Sequence, residues 1–416
     1  MSVGSAMTMG IDLFEKRSII SGIGISRVGR RTGIPGLELT IESSRAALAD
    51  AGLTPADIDG VATMGETPLD QACSALGVEA AYRGGGIETG GLLSPVMSAC
   101  RAVADGAARH VLVYRTVQMV GGTILGPNQG AASGDAARRA ARAEQSRDRQ
   151  PVTETVAPPQ ALMDAMSEMG TLLTYHAYSA ANWLAMHCRR HMHLYGTTKE
   201  QLGALAVNSR ANAALNPLAA YRDPMTLEDY LDARPISDPF GLLDCDVPID
   251  GSVAVVVSRA DFAPDCPHPV RVEALGGSEG AGGWDQRPDY PNMASVDAAA
   301  EMWGRTDLRP ADVDVAELYD GFTFITLAWL EALGFCGTGE SGPFVADPSE
   351  ISLGGRLPLN TYGGQLSAGR MHGYWVLHEA CLQLQGQAGA RQVAGAEVAV
   401  AANGGGPIAG CLLLTR

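Results

Sequence analysis

The residues whose types and spacing could do chemistry lie in the last third of the chain. Glu317-Leu318-Tyr319-Asp320-Gly321-Phe322 ends an apolar run on a tyrosine and an aspartate. Asn360-Thr361-Tyr362-Gly363-Gly364 runs on to Arg370-Met371-His372-Gly373, and Asn403-Gly404-Gly405-Gly406 stands close to the C-terminus. A tyrosine whose pKa is brought down can exchange a proton with a reacting group. Arginine stays protonated, so Arg370 can hold an oxygen or a phosphate but cannot serve as a base. His372 is the nearest imidazole. Backbone N–H groups of Gly363-Gly364 and Gly404 to Gly406 can gather around a developing oxyanion. A buried tyrosine that simply finds a hydrogen-bond partner is the competing reading of Tyr319, and structural roles compete for Tyr362 and His372.

Other candidates are weaker. His187, Cys188, His191 and His193 are metal-like residue types, but no glutamate accompanies them as in H-E-x-x-H, and a solvated helix face is the simpler reading; no metal site is expected. The eight cysteines are scattered without C-x-x-C spacing and read as reduced and mostly buried. Lys16 and Lys199 are the only lysines, so a Schiff-base mechanism has few candidates, and neither sits in a motif of this kind. Asp244 and Asp250 read as architecture before a closing strand.

Composition narrows the function further. The 416 residues carry a formal charge of −16, which argues against nucleic acid, although a few local arginines or helix N-termini suffice for an anionic ligand. No apolar run approaches the roughly 18 residues of a membrane span, and the N-terminus lacks a basic-then-apolar leader, so a cytoplasmic protein without membrane insertion is expected.

The elements that must position these residues come as a duplication. Leu53-Thr54-Pro55-Ala56-Asp57-Ile58-Asp59 returns as Leu308-Arg309-Pro310-Ala311-Asp312-Val313-Asp314. Each copy follows a helix (41–51 and 296–303), makes a proline turn and enters a buried strand. Each half also ends in a helix and a short apolar strand: 96–107 then 110–117, and 374–385 then 397–402. Strand–helix alternation predicts α/β architecture with largely parallel sheets. Between the halves, 121–159 reads as a loop or surface helix, and 163–192 as a stronger helix.

These segments and their order resemble the C-terminal half of the thiolase superfamily, above all sterol-carrier-type thiolases and lipid-transfer-protein homologues. The resemblance implies a duplicated five-layer αβαβα fold with the site between halves. It divides the chain into 1–118 as the first part of the N-terminal half, 119–240 as an excursion that covers an acyl-CoA site, 241–266 as the return strand, and 267–416 as the C-terminal half. It also shows what is missing. The family's nucleophilic cysteine falls near Gly90, at the start of a helix expected over 93–107, where Thr89 and Ser94 read as helix-cap residues. Arg370-Met371 stands at its activating histidine, and Ala402-Asn403 at its second cysteine. Thiolase acyl transfer is therefore unlikely.

In the branch that cleaves steroid side chains by a retro-aldol reaction, a tyrosine stands where Tyr319 does, paired with another in the glycine-framed segment. That second position falls at Gly369 or Arg370, so Tyr362 and His372 are the stand-ins. The resemblance thus implies a carbon–carbon lyase acting on a 3-hydroxyacyl-CoA, with a steroid side chain as one candidate acyl group. Tyr319 is its acid/base, with His372, Tyr362 and Arg370 beside it. Gly90, Gly363, Gly364, Asn403, Gly404, Gly405 and Gly406 form the cradle. Coenzyme A enters only as part of the substrate, with no permanent cofactor, and a homodimer with a small zinc-ribbon/OB-fold partner is implied. The alternatives are a non-catalytic acyl-CoA-binding or scaffold subunit, favoured by Arg370, and an acyltransferase or Claisen enzyme with an atypical nucleophile.

Overall fold

The computed structural model describes residues 11–64, 67–86, 91–119, 172–278 and 283–416. Its strands are β1 (Ser18–Ile25), β2 (Gly60–Thr63), β3 (Tyr82–Gly85), β4 (His110–Gln118), β5 (Pro235–Ser237), β6 (Phe240–Gly241), β7 (Asp250–Arg259), β8 (Val270–Ser278), β9 (Val315–Leu318), β10 (Val398–Gly405) and β11 (Ile408–Thr415). Apart from the small β5–β6 hairpin, they run in the order β3-β2-β4-β7-β1-β8-β11-β10-β9. The halves join through a short β1–β8 seam, Ile19 opposite Arg271 and Ile20 opposite Val270.

The expectation of largely parallel sheets is corrected. Among the described strands only β2–β3, β2–β4 and β9–β10 pair in parallel. The other ladders of the long sheet are antiparallel, because β7 returns beside β4 and β11 beside β10.

Alternation along the strands shows the layers. Val111 and Val113 of β4 face the central core, while Leu112 and Tyr114 face the helices 36–50 and 69–76 outside. In the second half Ala399 and Ala401 face the same central core, while Val400 and Ala402 meet the outer helices 295–303 and 323–332. A period of two sends successive side chains to opposite faces, so both sheet halves bury both sides. Helices 94–104 and 374–385 fill the middle, the latter touching β9 and β10 of one half and β1 and β7 of the other. Helix, sheet, helix, sheet, helix is the five-layer order that the thiolase resemblance implies.

The repeated motif works identically in both copies. Pro55–Asp57 and Pro310–Asp312 each form a single 3-10 turn with proline at its start. Asp57 accepts the N–H of Thr54 at 2.8 Å, and Asp312 that of Arg309 at 2.8 Å. The second aspartate then pins the next strand. Asp59 accepts the N–H groups of Arg109 and His110, and Asp314 those of Glu397 and Val398. Proline fixes φ and the aspartates satisfy orphan donors, so the seven residues specify one turn twice.

The helical face 187–193 is also corrected. His187 is buried, with its ring nitrogens against the carbonyls of Pro291 and Trp284, and His191 lies between Thr197 and Glu331. Among the described residues no group of three or more His, Cys, Asp or Glu side chains is set to hold a metal, and no helix is long and apolar enough to cross a membrane. Asp244 gathers Lys199, Tyr230, Thr323 and the Gly241 N–H, and Asp250 holds Thr32, so both tie loops together as architecture.

Candidate active site

Three chain segments converge where β9 ends. Tyr319 follows the strand and donates its N–H to Ala402 of β10, and Gly321 accepts the N–H of Asp246. Val247 donates to Gln365, and Arg370 donates back to Val247. Segments 319–322, 244–247 and 364–370 thus share one hydrogen-bonded knot, to which β4 adds Arg115. The carboxyl end of a strand is where α/β sheets present functional groups.

Helix 199–214 holds the glycine-framed segment in place. Asn212 and Asn216 donate to the carbonyls of Leu359, Asn360 and Tyr362, and Arg210 donates to Ser367 at 2.9 Å. Asn360 sits at φ +49 and accepts the N–H of Leu318 through its side chain at 2.7 Å, joining this segment to β9.

Tyr319 is 8% exposed. Burial pushes its phenol up to about 12, against the pull of the Arg370 guanidinium and with a push from Asp246 and Asp320. The depressed pKa that proton exchange was expected to need is therefore not found, and Tyr319 carries its proton at neutral pH. Asp320, fully buried, is pushed up to about 7 by burial, while the N–H groups of Gln365 (2.7 Å) and Leu366 (3.4 Å) draw it down. Asp246 is raised by burial, with Arg370 opposing at 3.3 Å.

Arg370 reaches His372 Nε2 at 2.6 Å, and Arg115 meets the other ring nitrogen. A neutral imidazole has one acceptor nitrogen, so the two guanidiniums compete for it. Burial and these two cations hold His372 well below the ordinary imidazole range. With both nitrogens so occupied, His372 is placed to order Arg115 and Arg370, not to take a substrate proton. Tyr362 lies in the central core, stacked on Trp375 at 5.2 Å, its hydroxyl without a partner and its pKa pushed well up by burial.

The glycines serve close approach. A Cβ at Gly364 (φ +60) would overlap Asp320, one at Gly363 would overlap Ala213, and one at Gly373 would overlap Asn403. The cradle expected of their N–H groups is corrected at two positions: Gly363 donates to Asn360 at 2.9 Å, and Gly406 to the Met293 sulfur at 2.9 Å. Gly404 and Gly405 belong to the β10–β11 ladder, opposite Ala409 and Ile408. Asn403 donates to the His372 carbonyl at 2.8 Å and leaves Oδ1 unpartnered. Gly90 and Thr89 lie outside the described residues, as does 120–171 of the excursion. Gly364→Ala is expected to lower the unfolding free energy by about 2 kcal/mol or more, from left-handed strain plus displacement of Asp320. Urea unfolding of the variant checks this, and a cost within error of zero would contradict it.

The thiols are held in their protonated, less nucleophilic form. All eight cysteines are raised in pKa, first by burial, and Cys100 on helix 94–104 is pushed up to about 12. A protonated, buried thiol is inert.

Several residues here escape sequence reading. Arg115 interrupts an apolar strand, Asp246 follows Asp244 and Cys245, and Glu379 sits inside an apolar helix. A charge in an apolar run is the signal that could have found them. Beneath the site, Glu379 is paired with Arg391 at 2.8 and 2.9 Å, and Thr361 bridges it to Glu317. His378, on the same helix, is drawn down to about 3 by burial and then by Arg391. Its folded pKa lies below its unfolded value, so the unfolded state binds the extra proton and stability falls as pH drops below about 6.5. Between pH 7 and pH 5 this one group is expected to remove about 2 kcal/mol, a loss that His378→Leu should abolish in urea titrations at the two pH values.

A family model described as thiolase C-terminal domain-like matches residues 280–412. A steroid side-chain-cleaving aldolase of Thermomonospora curvata is 34% identical over 95% of this chain and 97% of its own length. A 17-hydroxy-3-oxo-4-pregnene-20-carboxyl-CoA lyase of Mycobacterium tuberculosis is 36% identical over 96% of this chain and all of its own. A solved Ltp2–ChsH2(DUF35) aldolase superposes with a TM-score of 0.82 at 30% identity, covering 97% of this chain and 99% of that one. The chain belongs to the thiolase superfamily, on the lipid-transfer-protein branch that these aldolases represent.

Proposed function

We propose that this chain is a carbon–carbon lyase that cleaves a 3-hydroxyacyl-CoA by a retro-aldol reaction, with Tyr319 as the acid/base. The observation that carries this reading is a buried, proton-bearing tyrosine at the end of β9, facing Arg370, in a fold whose thiols are all raised in pKa. A retro-aldol cleavage needs no covalent nucleophile. The hydroxyl O–H bond breaks, the C2–C3 pair moves onto the thioester as an enolate, C3 becomes a carbonyl, and C2 takes a proton. In one exchange, Tyr319 gives its proton to C2 as the C2–C3 bond breaks and takes up the hydroxyl proton in its place. It ends as it began, and no co-reactant is consumed. Arg370 supplies the positive charge that eases the transient phenolate.

Coenzyme A belongs to the substrate. The names of both aldolase relatives support a steroid side chain as the acyl group. The ChsH2(DUF35) component of the Ltp2 structure supports a partner protein here, which we take to be the small zinc-ribbon/OB-fold chain. Arg370, at the place of the branch's second tyrosine, favours one competitor, a non-catalytic acyl-CoA-binding subunit. The test is a panel of 3-hydroxyacyl-CoA esters, steroid-type included, offered to the chain co-expressed with its partner. Carbonyl product with free shorter acyl-CoA supports the lyase. Binding without cleavage sinks it in favour of the binding subunit, and a covalent acyl adduct in favour of acyl transfer.

A further inference from the structure

Gln365 is fully buried, and its carboxamide has no hydrogen bond of ordinary length at either Nε2 or Oε1, only a weak approach to the Tyr319 phenol. Buried side-chain amides are ordinarily satisfied, so an amide short of partners marks a place where a ligand completes the set. Its backbone is pinned on both sides. The N–H goes to Asp320 at 2.7 Å, and the carbonyl accepts Val247 at 2.9 Å. It belongs to the single π-turn Gly364–Ala368, a rare distortion found often at functional sites. The carboxamide lies close enough to Tyr319 to ease its ionisation. Leucine or methionine would fill the same volume, so packing does not explain an amide here.

We propose that Gln365 receives the substrate's β-hydroxyl, holding it beside Tyr319. The carboxamide Nε2–H donates to the hydroxyl oxygen, which leaves the hydroxyl's one proton free to point at Tyr319. As the bond breaks, the hydroxyl proton leaves for Tyr319 and the oxygen becomes a ketone oxygen, which can only accept. Nε2 keeps its bond to that oxygen before and after the cleavage. Gln365 therefore distinguishes hydroxylated from non-hydroxylated acyl-CoA, and makes no covalent bond itself. The assignment rests on the lyase reading above.

The experiment uses the full chain carrying Tyr319→Phe, so that nothing is cleaved during titration. Calorimetry compares 17-hydroxy-3-oxo-4-pregnene-20-carboxyl-CoA with its counterpart lacking the 17-hydroxyl. The expected result is a preference of at least about tenfold for the hydroxylated ester, which Gln365→Met in the same background removes while affinity for the other ester stays within about twofold. Failure of the Gln365-bearing chain to prefer the hydroxylated ester overturns the proposal, even if Gln365→Met does not fold. A preference that Gln365→Met leaves intact, or an equal loss of both affinities, overturns it as well. Turnover by the chain with Tyr319 intact reports separately on the lyase reading, so the two can fail independently.

Discussion

Tyr319→Phe is expected to lower kcat for 3-hydroxyacyl-CoA cleavage by about 10²–10⁴-fold, with the dissociation constant for a CoA ester changed by less than about threefold. The substitution removes one oxygen from a ring that is already 8% exposed and packed in the outer core of the C-terminal half. Its N–H bond to Ala402 is untouched, so the fold should persist. What disappears is the phenol that, in the proposed reaction, gives a proton to carbon and takes one from oxygen. Because burial places the phenol at about 12, the step relies on direct exchange within the bound complex, not on a standing population of phenolate. Single-turnover assays with product detection, alongside calorimetric titration, separate chemistry from binding. Unchanged turnover would move the acid/base role away from Tyr319. A parallel loss of binding would make Tyr319 a positioning residue.

The second large effect is on stability. Arg391→Leu is expected to cost about 3–5 kcal/mol, because it strands a buried carboxylate. Glu379 is fully buried and bonded through both oxygens to Arg391, itself 9% exposed. Glu317, also fully buried, is raised well above the usual carboxylate range by burial and by the charge of Glu379. The Thr361 hydroxyl lies at 2.6 Å from Glu317 and 3.0 Å from Glu379, but has one hydrogen for two acceptors. A protonated Glu317 resolves this by donating where Thr361 cannot. The network then holds one negative and one positive charge, and removing Arg391 leaves the negative charge alone. Glu379→Gln in the Arg391→Leu background should recover more than half of the loss in urea unfolding. A loss below about 1 kcal/mol for Arg391→Leu, or no recovery in the double variant, would show that the pair does not carry this charge.

Much of the architecture is legible in the residues because it is locally encoded. Leu-x-Pro-Ala-Asp-[Ile/Val]-Asp sets its own φ at proline and satisfies its own donors with aspartate, and it makes the same turn at 55–57 and 310–312. The helix 374–385 begins and ends where the sequence places it, between Gly373 and Gly386. The apolar strands that hold the halves follow from composition, and Tyr319 stands at a strand end as its segment predicts. Strand direction is not local. Apolar runs buried on both faces look alike in parallel and antiparallel ladders, so residues alone do not show that β7 and β11 run antiparallel to their neighbours. His187 and His191 were read as solvated because helical spacing does not say what packs against the face; here the segments at 284–291 and 331 do.

The chain's residues by themselves determined the duplicated frame, the thiolase kinship, the absence of the family's cysteines from their expected positions and the candidacy of Tyr319. These depend on identity and short-range order. Only the tertiary structure decided how those groups behave. It brought Arg115, from 204 positions upstream, onto the same side of the fold as Tyr319, set Asp246 against Arg370, gave His372 two cationic neighbours, and left the Gln365 carboxamide without a hydrogen bond of ordinary length. Protonation follows desolvation and neighbouring charge, and both come into being only when segments distant in sequence are packed together.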